Sequence, residues 1–286
     1  MPESSYKEIH SESYVTISNE EFKRIRDYIY KNIGINLTEQ KKALLMGRLQ
    51  KLLRKYSFVN FEEYYNFVVQ DKSGKALSEL ANSISTNHTF FYREYDHFEY
   101  FKDTALPEIS RLMKARGEND IRVWSAGCSS GEEPYTLVML MMEYFGKAYN
   151  ELKAGVLATD ISETALQKAM AGVYASERFG NMPKKYISRY FRKKGDNYEV
   201  TPEVKKEVTY RKFNLMVPRF PFKKQFDVIF CRNVMIYFDE PTRENLVSKF
   251  YDFTAPGGHL FIGHSETIKK SSTKYHYIKP AVYRKI

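Results

Sequence analysis

Cysteine is nearly absent: Cys128 and Cys231 are the only two among 286 residues, which excludes a disulfide-stapled scaffold and fits a reducing, cytoplasmic setting. No apolar stretch reaches the roughly 18 residues that suggest a membrane-spanning helix, and no apolar leader opens the chain, so neither membrane insertion nor export is expected. The six histidines and two cysteines show neither H-E-x-x-H nor C-x-x-C spacing, and no metal is expected. Repeats and low-complexity tracts are missing as well. Acidic residues are outnumbered, 35 against 45 basic ones, and the formal charge of +10 favours an acidic partner: nucleic acid, an anionic membrane face or an acidic protein surface. What is present is 43 % hydrophobic residues, enough to bury a large core, over a length that suits one large domain plus a smaller one.

Residues 1–17 are polar and aperiodic and read as a flexible tail. Ser18-Asn-Glu-Glu21 has capping-box spacing, and Phe22, Ile25, Ile29 and Ile33 follow at helical intervals before the C-capping Gly34. A second helix is predicted from Thr38 to about Lys55, with Leu45, Leu49, Leu52 and Leu53 on one face and a basic stripe of Lys41, Arg48, Lys51 and Lys55 on another. Helices near Asn60 and over Lys75 to Ile84 complete an N-terminal helical domain, 18–85. A pair of helices broken near Pro107 leads into alternating strands and helices, which predicts a parallel sheet in an α/β domain spanning 86–286. Within it, 184–213 carries a Gly195-Asp-Asn turn and alternating Tyr198, Val200, Val208 and Tyr210, and reads as a small inserted antiparallel β-subdomain.

The chemistry is expected at Ile121-Arg-Val-Trp-Ser-Ala-Gly-Cys-Ser-Ser-Gly-Glu-Glu-Pro-Tyr135, a buried strand that breaks into a small-residue loop and then opens a helix. Gly127 and Gly131 allow a tight turn against a ligand. The spacing is not the G-x-G-x-x-G of a dinucleotide loop, and Glu132 and Glu133 stand where phosphate would go, so the ligand should carry a cation. S-adenosylmethionine, with its sulfonium and ammonium groups, meets that requirement. Acids that merely complement the helix dipole are the plainer reading. Asp160 ends the next strand, where a carboxylate can accept both ribose hydroxyls, although it could instead cap the following helix, a role Ser162 can also fill. Cys231-Arg-Asn-Val-Met-Ile-Tyr237 follows a later strand and faces the same crevice. A covalent role for Cys231 is possible in principle, but a small buried filler is the commoner use of such a cysteine. Arg93 ends an aromatic segment and suits carboxylate recognition, while an interdomain salt bridge with Glu94 or Asp96 explains it equally well.

Taken together, Asn87-His-Thr-Phe-Phe-Tyr-Arg-Glu94, Trp124 to Tyr135, Ala158-Thr-Asp-Ile161, Phe230-Cys-Arg-Asn-Val-Met-Ile-Tyr-Phe238 and Gly263-His-Ser-Glu266 resemble the successive blocks of the chemotaxis receptor glutamate O-methyltransferases, the CheR-type family. The resemblance covers nearly the whole chain. It implies an α/β fold: a Rossmann-like S-adenosylmethionine-dependent methyltransferase domain with an N-terminal helical domain and a small inserted β-subdomain. It also implies that Asn87, Thr89, Arg93, Gly127, Glu133, Asp160, Asn214, Leu215, Arg232 and Asn233 bind the cofactor, with Asn214-Leu215 near the adenine, and that Arg93 and Tyr237 stand closest to the transferred methyl. The implied substrate is a glutamate on the cytoplasmic helical bundle of a methyl-accepting chemotaxis receptor, with S-adenosylhomocysteine as product. The charge of the basic stripe itself suggests docking on an acidic receptor helix, a solvated helix face being the plainer reading. Family members that tether to a receptor C-terminal peptide have a longer glycine-containing loop than Lys193-Lys-Gly-Asp-Asn197, so a tether-independent enzyme is expected, acting as a monomer.

A glutamate carboxylate, with a pKa near about 4.3, is ionised at neutral pH and needs no general base, so catalysis would be direct in-line displacement governed by positioning. A nucleic-acid methyltransferase would also suit the charge, but Cys231-Arg-Asn-Val lacks the acidic or amide residue before Pro-Pro-aromatic of the amino-group enzymes. A non-catalytic S-adenosylmethionine sensor is the other alternative, disfavoured by the joint presence of Arg93, Asp160 and Tyr237.

Overall fold

The computed structural model describes residues 14–86 and 88–286. The Ser18 hydroxyl accepts from the Glu21 N–H and so starts helix α1 (Asn19–Ile33), completing the capping box. A 3₁₀ turn at Glu39–Lys41 leads to α2 (Lys42–Tyr56), followed by α3 (Phe61–Gln70), capped by the Asn60 side chain, and α4 (Lys75–Ile84). Their apolar faces converge on Ile29, Leu45, Leu49, Phe61 and Leu80, all inaccessible to solvent or nearly so. Order begins earlier than the expected tail boundary. Ile17 is buried, and Val15 is held at both backbone groups by the Gln50 side chain, its N–H donating at 3.2 Å and its carbonyl accepting at 2.6 Å. The rest of that tail, 1–13, lies outside the described residues.

Helix α5 (Tyr95–Tyr100) passes through a π turn at Phe101–Ala105 into α6 (Leu106–Ala115). The expected break near Pro107 does not occur. Pro107 falls in the first turn of α6, and the wider turn before it absorbs the missing N–H while the backbone stays helical.

The α/β domain runs β1 (Asp120–Ala126), α7 (Glu132–Phe145), β2 (Lys153–Asp160), α8 (Glu163–Ala171), β3 (Val173–Ala175), α9 (Lys184–Tyr190), β4 (Phe191–Lys194), β5 (Asn197–Val200), α10 (Pro202–Lys205), β6 (Val208–Lys212), β7 (Phe226–Cys231), α11 (Glu240–Phe253), β8 (Thr254–Ile262), β9 (His276–Lys279) and β10 (Val282–Arg284). The main sheet has the order β6-β2-β1-β7-β8-β10-β9, parallel from β6 to β8 and antiparallel at β10 and β9. Both flanks of β1 are strands that follow it in the chain, β2 on one side and β7 on the other. The crossovers therefore diverge above its carboxyl end, where open α/β sheets bind ligands.

The insertion differs from the expected 184–213. Its sheet has the order β3-β5-β4, so it starts at Val173, while Val208 to Lys212 pair with β2 in parallel as the edge of the main sheet. Period-two alternation at Val208 and Tyr210 suits an edge strand of either sheet, and nothing in such a pattern names the partner. Pro256-Gly-Gly258, a composition that favours turns, is nevertheless carried inside β8, whose pairing with β7 shifts register there.

Candidate functional site

The carboxyl ends of β1, β2 and β7 open into a cleft of about 1060 Å³, roofed by the helical domain through Ile33, Ile35, Ala81 and Ser85. The roof is bonded to the sheet domain at several points. Ile35 bridges Phe238, the Asn36 N–H donates to the Tyr237 carbonyl at 2.8 Å, and the Ser78 hydroxyl donates to the Ile161 carbonyl at 2.9 Å. Asn214 belongs to the same seam: its amide donates to the Asn32 carbonyl at 2.6 Å.

Gly127, immediately after β1, has φ +84°, and a Cβ there would stand 2.4 Å from Val234 Cγ2, so only glycine keeps this turn open beside the next loop. The following turn places Ser129 with its N–H on Asp160 Oδ2 at 2.8 Å, while Asp160 Oδ1 accepts from the Ser162 N–H at 2.8 Å. Ser162 itself caps α8 through its hydroxyl. Asp160 is therefore not spent as a side-chain cap. Burial raises its carboxyl pKa, partly offset by the backbone N–H groups of Ser162, Ser129 and Ile161. Ser129 lines the cleft with a buried hydroxyl that has no protein hydrogen-bond partner. An orphaned hydroxyl beside a carboxylate suits a diol-bearing ligand such as a ribose.

Of the two acids opening α7, only Glu133 lines the cleft. Glu132 is fully buried, pairing with Arg178 at 2.7 Å and accepting from the Ser130 hydroxyl. Glu133 accepts from the Ser125 hydroxyl at 2.7 Å and from Arg232 at 3.0 Å; burial raises its pKa, against the lowering by Arg232 and Ser125. Arg232 is thereby buried between two acids. It donates to Glu133, to Glu94 at 3.1 Å and to the Arg93 carbonyl, and it lies over the Phe98 ring at 5.0 Å. Expected as a cofactor contact, it lines the cleft while bracing Glu94 and Glu133.

Glu94 was missed as a site residue and is the hub of this wall. Besides Arg232 it accepts from the Asn233 amide at 3.1 Å and the His264 N–H at 3.3 Å. Burial raises its carboxyl, but Arg232, Asn233 and His264 outweigh that and leave it lowered. Glu266 holds the facing loop, accepting from the N–H groups of Gly263, Asn233 and Ile236. Six described non-glycine residues adopt positive φ, and four of them, Tyr92, Glu94, Ser129 and Asn233, belong to the loops that build this cleft. Such strain persists where the surroundings over-determine the backbone, commonly at functional sites.

Arg93 lines the cleft and donates to the His88 carbonyl at 2.7 Å. Tyr237 lines it too, its hydroxyl accepting from the Thr86 N–H at 2.9 Å and donating to the Thr86 carbonyl at 3.4 Å. Thr89, Asn214, Leu215 and Asn233 complete the expected set on the lining, and Asn87 lies outside the described residues. Cys231 is fully buried, and burial drives its thiol well above the ordinary value, so no thiolate nucleophile is available there.

The basic stripe stands apart from the cleft and is not uniform. Lys41 lies on the 3₁₀ turn before α2 and, like Lys51, is exposed. Lys55 is paired with Glu79 at 2.7 Å, and Arg48 donates to the Ile84 carbonyl and to Thr86 Oγ1 at 2.9 Å. Packing of α2 on α4 puts those acceptors within reach, so Arg48 and Lys55 serve the helical domain and the Thr86 loop, in contrast to the four-residue docking stripe expected from spacing.

A largely parallel sheet with an acid-lined switch-point cleft under a helical roof is the architecture of a Rossmann-like methyltransferase that uses S-adenosylmethionine, and the relatives agree. Residues 87–283 match the CheR methyltransferase SAM binding domain and residues 20–85 the CheR methyltransferase all-alpha domain. The chain is 44 % identical to a chemotaxis protein methyltransferase of Borreliella burgdorferi over 272 residues, 95 % of this chain and 96 % of that one. It is 34 % identical to chemotaxis protein methyltransferase 2 of Vibrio cholerae (92 % and 90 % covered) and 33 % identical to the Escherichia coli chemotaxis protein methyltransferase (94 % and 92 %). The protein belongs to the CheR methyltransferase family.

Proposed function

We propose that this methyltransferase esterifies glutamate side chains on the cytoplasmic helical bundle of methyl-accepting chemotaxis receptors, releasing S-adenosylhomocysteine. The observation that carries the reading is the meeting of two polarities in one cleft. Asp160, Glu133 and the orphaned Ser129 hydroxyl suit a cationic nucleoside, and Arg93 with Tyr237 suits an anionic acceptor. S-adenosylmethionine supplies an activated methyl on its sulfonium. Asp160 and Ser129 would bind the ribose, Glu133 the charged amino-acid end, and Asn214 with Leu215 the adenine side. Arg93 orients the acceptor carboxylate. Tyr237, latched to Thr86, fixes the loop that carries Thr89 and Arg93, so the protein's contribution is orientation and exclusion of water more than proton transfer. The acceptor is already ionised at neutral pH, and the neutral, buried Cys231 takes no covalent part.

Exposed Lys41 and Lys51 would meet the acidic receptor helix. Incubating the enzyme with S-adenosylmethionine and a purified receptor cytoplasmic fragment, then mapping modified peptides by mass spectrometry, tests the assignment. Methyl esters on glutamates are expected; methylated nitrogen, or methylation of added RNA in preference to receptor, would overturn it.

A further inference from the structure

Behind Arg232, away from the cleft lining, the first turn of α5 and the turn after β8 bring three side chains together across 170 residues of chain. Glu94, the residue just before α5, and His97 in the first turn of that helix lie three residues apart, and the His264 ring packs against that of His97 with centroids 4.5 Å apart. One oxygen or nitrogen from each of Glu94, His97 and His264 lies within 4.8 Å of the other two. His97 is fully buried, yet neither ring nitrogen makes a hydrogen bond; Nδ1 stands 3.5 Å from Glu94 Oε2. An imidazole buried with both nitrogens unsatisfied is the exception among buried polar groups and asks for a partner. His264 is oriented from outside, its Nε2 lying 3.2 Å from Asp96 Oδ1. A carboxylate on one ring nitrogen fixes the tautomer and leaves the other as a lone-pair donor, the arrangement that supports metal-bound histidines.

We propose that Glu94, His97 and His264 form a binding site for a divalent transition ion of the zinc type, with solvent completing the shell. Two imidazoles and one carboxylate suit zinc, whereas magnesium and calcium prefer all-oxygen sets. Ligands about 2.0–2.1 Å from a tetrahedral ion stand roughly 3.4 Å apart, so separations of up to 4.8 Å must contract by as much as about 1.4 Å for closure. The His264 side chain can supply that motion, being 41 % exposed, and beside the 38 % exposed Asp96 it leaves an entry path from solvent. Glu94 is shared with the cofactor wall. An ion drawing on its Oε2 competes with both Arg232 contacts there, from Nε at 3.4 Å and Nη2 at 3.1 Å, and with the His264 N–H, while Arg232 keeps Glu133 and the Arg93 carbonyl. Occupation is thus coupled to the cleft and weakens cofactor binding.

The site rests on the fold and not on the identity of the methyl acceptor. Zinc titration of the full chain against a chelating dye, followed by cobalt absorption spectroscopy, tests it. The wild type should bind one equivalent that H264A loses and that D96N binds about tenfold more weakly, in the range that lost outer-shell partners cost. Cobalt should show tetrahedral absorption bands in the wild type only. Both substitutions are at exposed side chains, and unchanged melting temperatures would show that the fold is kept. In parallel, zinc should raise the S-adenosylhomocysteine Kd of the wild type but not of H264A. An equivalent retained by H264A would mark adventitious binding at other histidines and overturn the site, as would no stoichiometric binding at all. Zinc binding that leaves the S-adenosylhomocysteine Kd unchanged would overturn the coupling.

Discussion

Single side chains in the cleft divide into those that meet the ligand and those that hold the wall. Asp160 has both backbone N–H contacts and a place on the lining, so Asp160→Ala should lower S-adenosylhomocysteine affinity by about 1.5–3 kcal/mol, roughly ten- to a hundredfold, while the chain remains folded. Calorimetry with a parallel melting curve checks this, and an unchanged Kd would remove Asp160 from the ribose site. Tyr237→Phe deletes the hydroxyl that accepts from the Thr86 N–H, and the expected loss is in transfer rate more than in cofactor affinity. Cys231→Ala should stay active, because a thiol held neutral by burial cannot serve as nucleophile. A trapped adduct on Cys231, with an inactive Cys231→Ala that still binds cofactor, would contradict the positioning account.

The regular elements were the most legible features, because their signals are local. Capping at Ser18 and Asn60, the stripe of Leu45, Leu49 and Leu52, and the existence of the strands that lead to Gly127, Asp160 and Cys231 follow from spacing and flanking residues. Partnerships between distant elements were not legible: β6 joined the main sheet and not the insertion, and Glu94 became a hub only because the β7 and β8 loops deliver Arg232, Asn233 and His264 to it. Helix α2 shows the same limit. Its period identified a charged face, but the Glu79 and Thr86 acceptors that engage Lys55 and Arg48 depend on packing. Charge reversal is therefore best directed at Lys41 and Lys51. The pair K41E/K51E should raise the apparent receptor KM at low salt with cofactor affinity unchanged, and the difference should fade near physiological ionic strength, where the Debye length is about 8 Å. An unaltered KM at low salt would reduce this surface to a solvated face.

The whole molecule combines a roofed cleft with a small separate sheet whose role bears on how substrate is found. Strands β4 and β5 are joined through Gly195 and Asp196 alone, with Lys194 paired to Asn197. A hairpin this tight leaves little loop to support an added strand, so direct recognition of the methylation helices is expected without the gain in effective concentration that tethering provides. Titration of a receptor C-terminal pentapeptide should show no binding; micromolar affinity localised to the three-stranded sheet would show that the short turn does not disable such a site. The central claim, methyl transfer to receptor glutamates, is tested most directly by incubating the protein with methyl-labelled S-adenosylmethionine and a purified receptor cytoplasmic fragment, then treating the product with alkali. Release of the label as methanol, reduced with Asp160→Ala at limiting cofactor and retained with Cys231→Ala, is the predicted result; label that survives alkali, or none on the receptor, would contradict it.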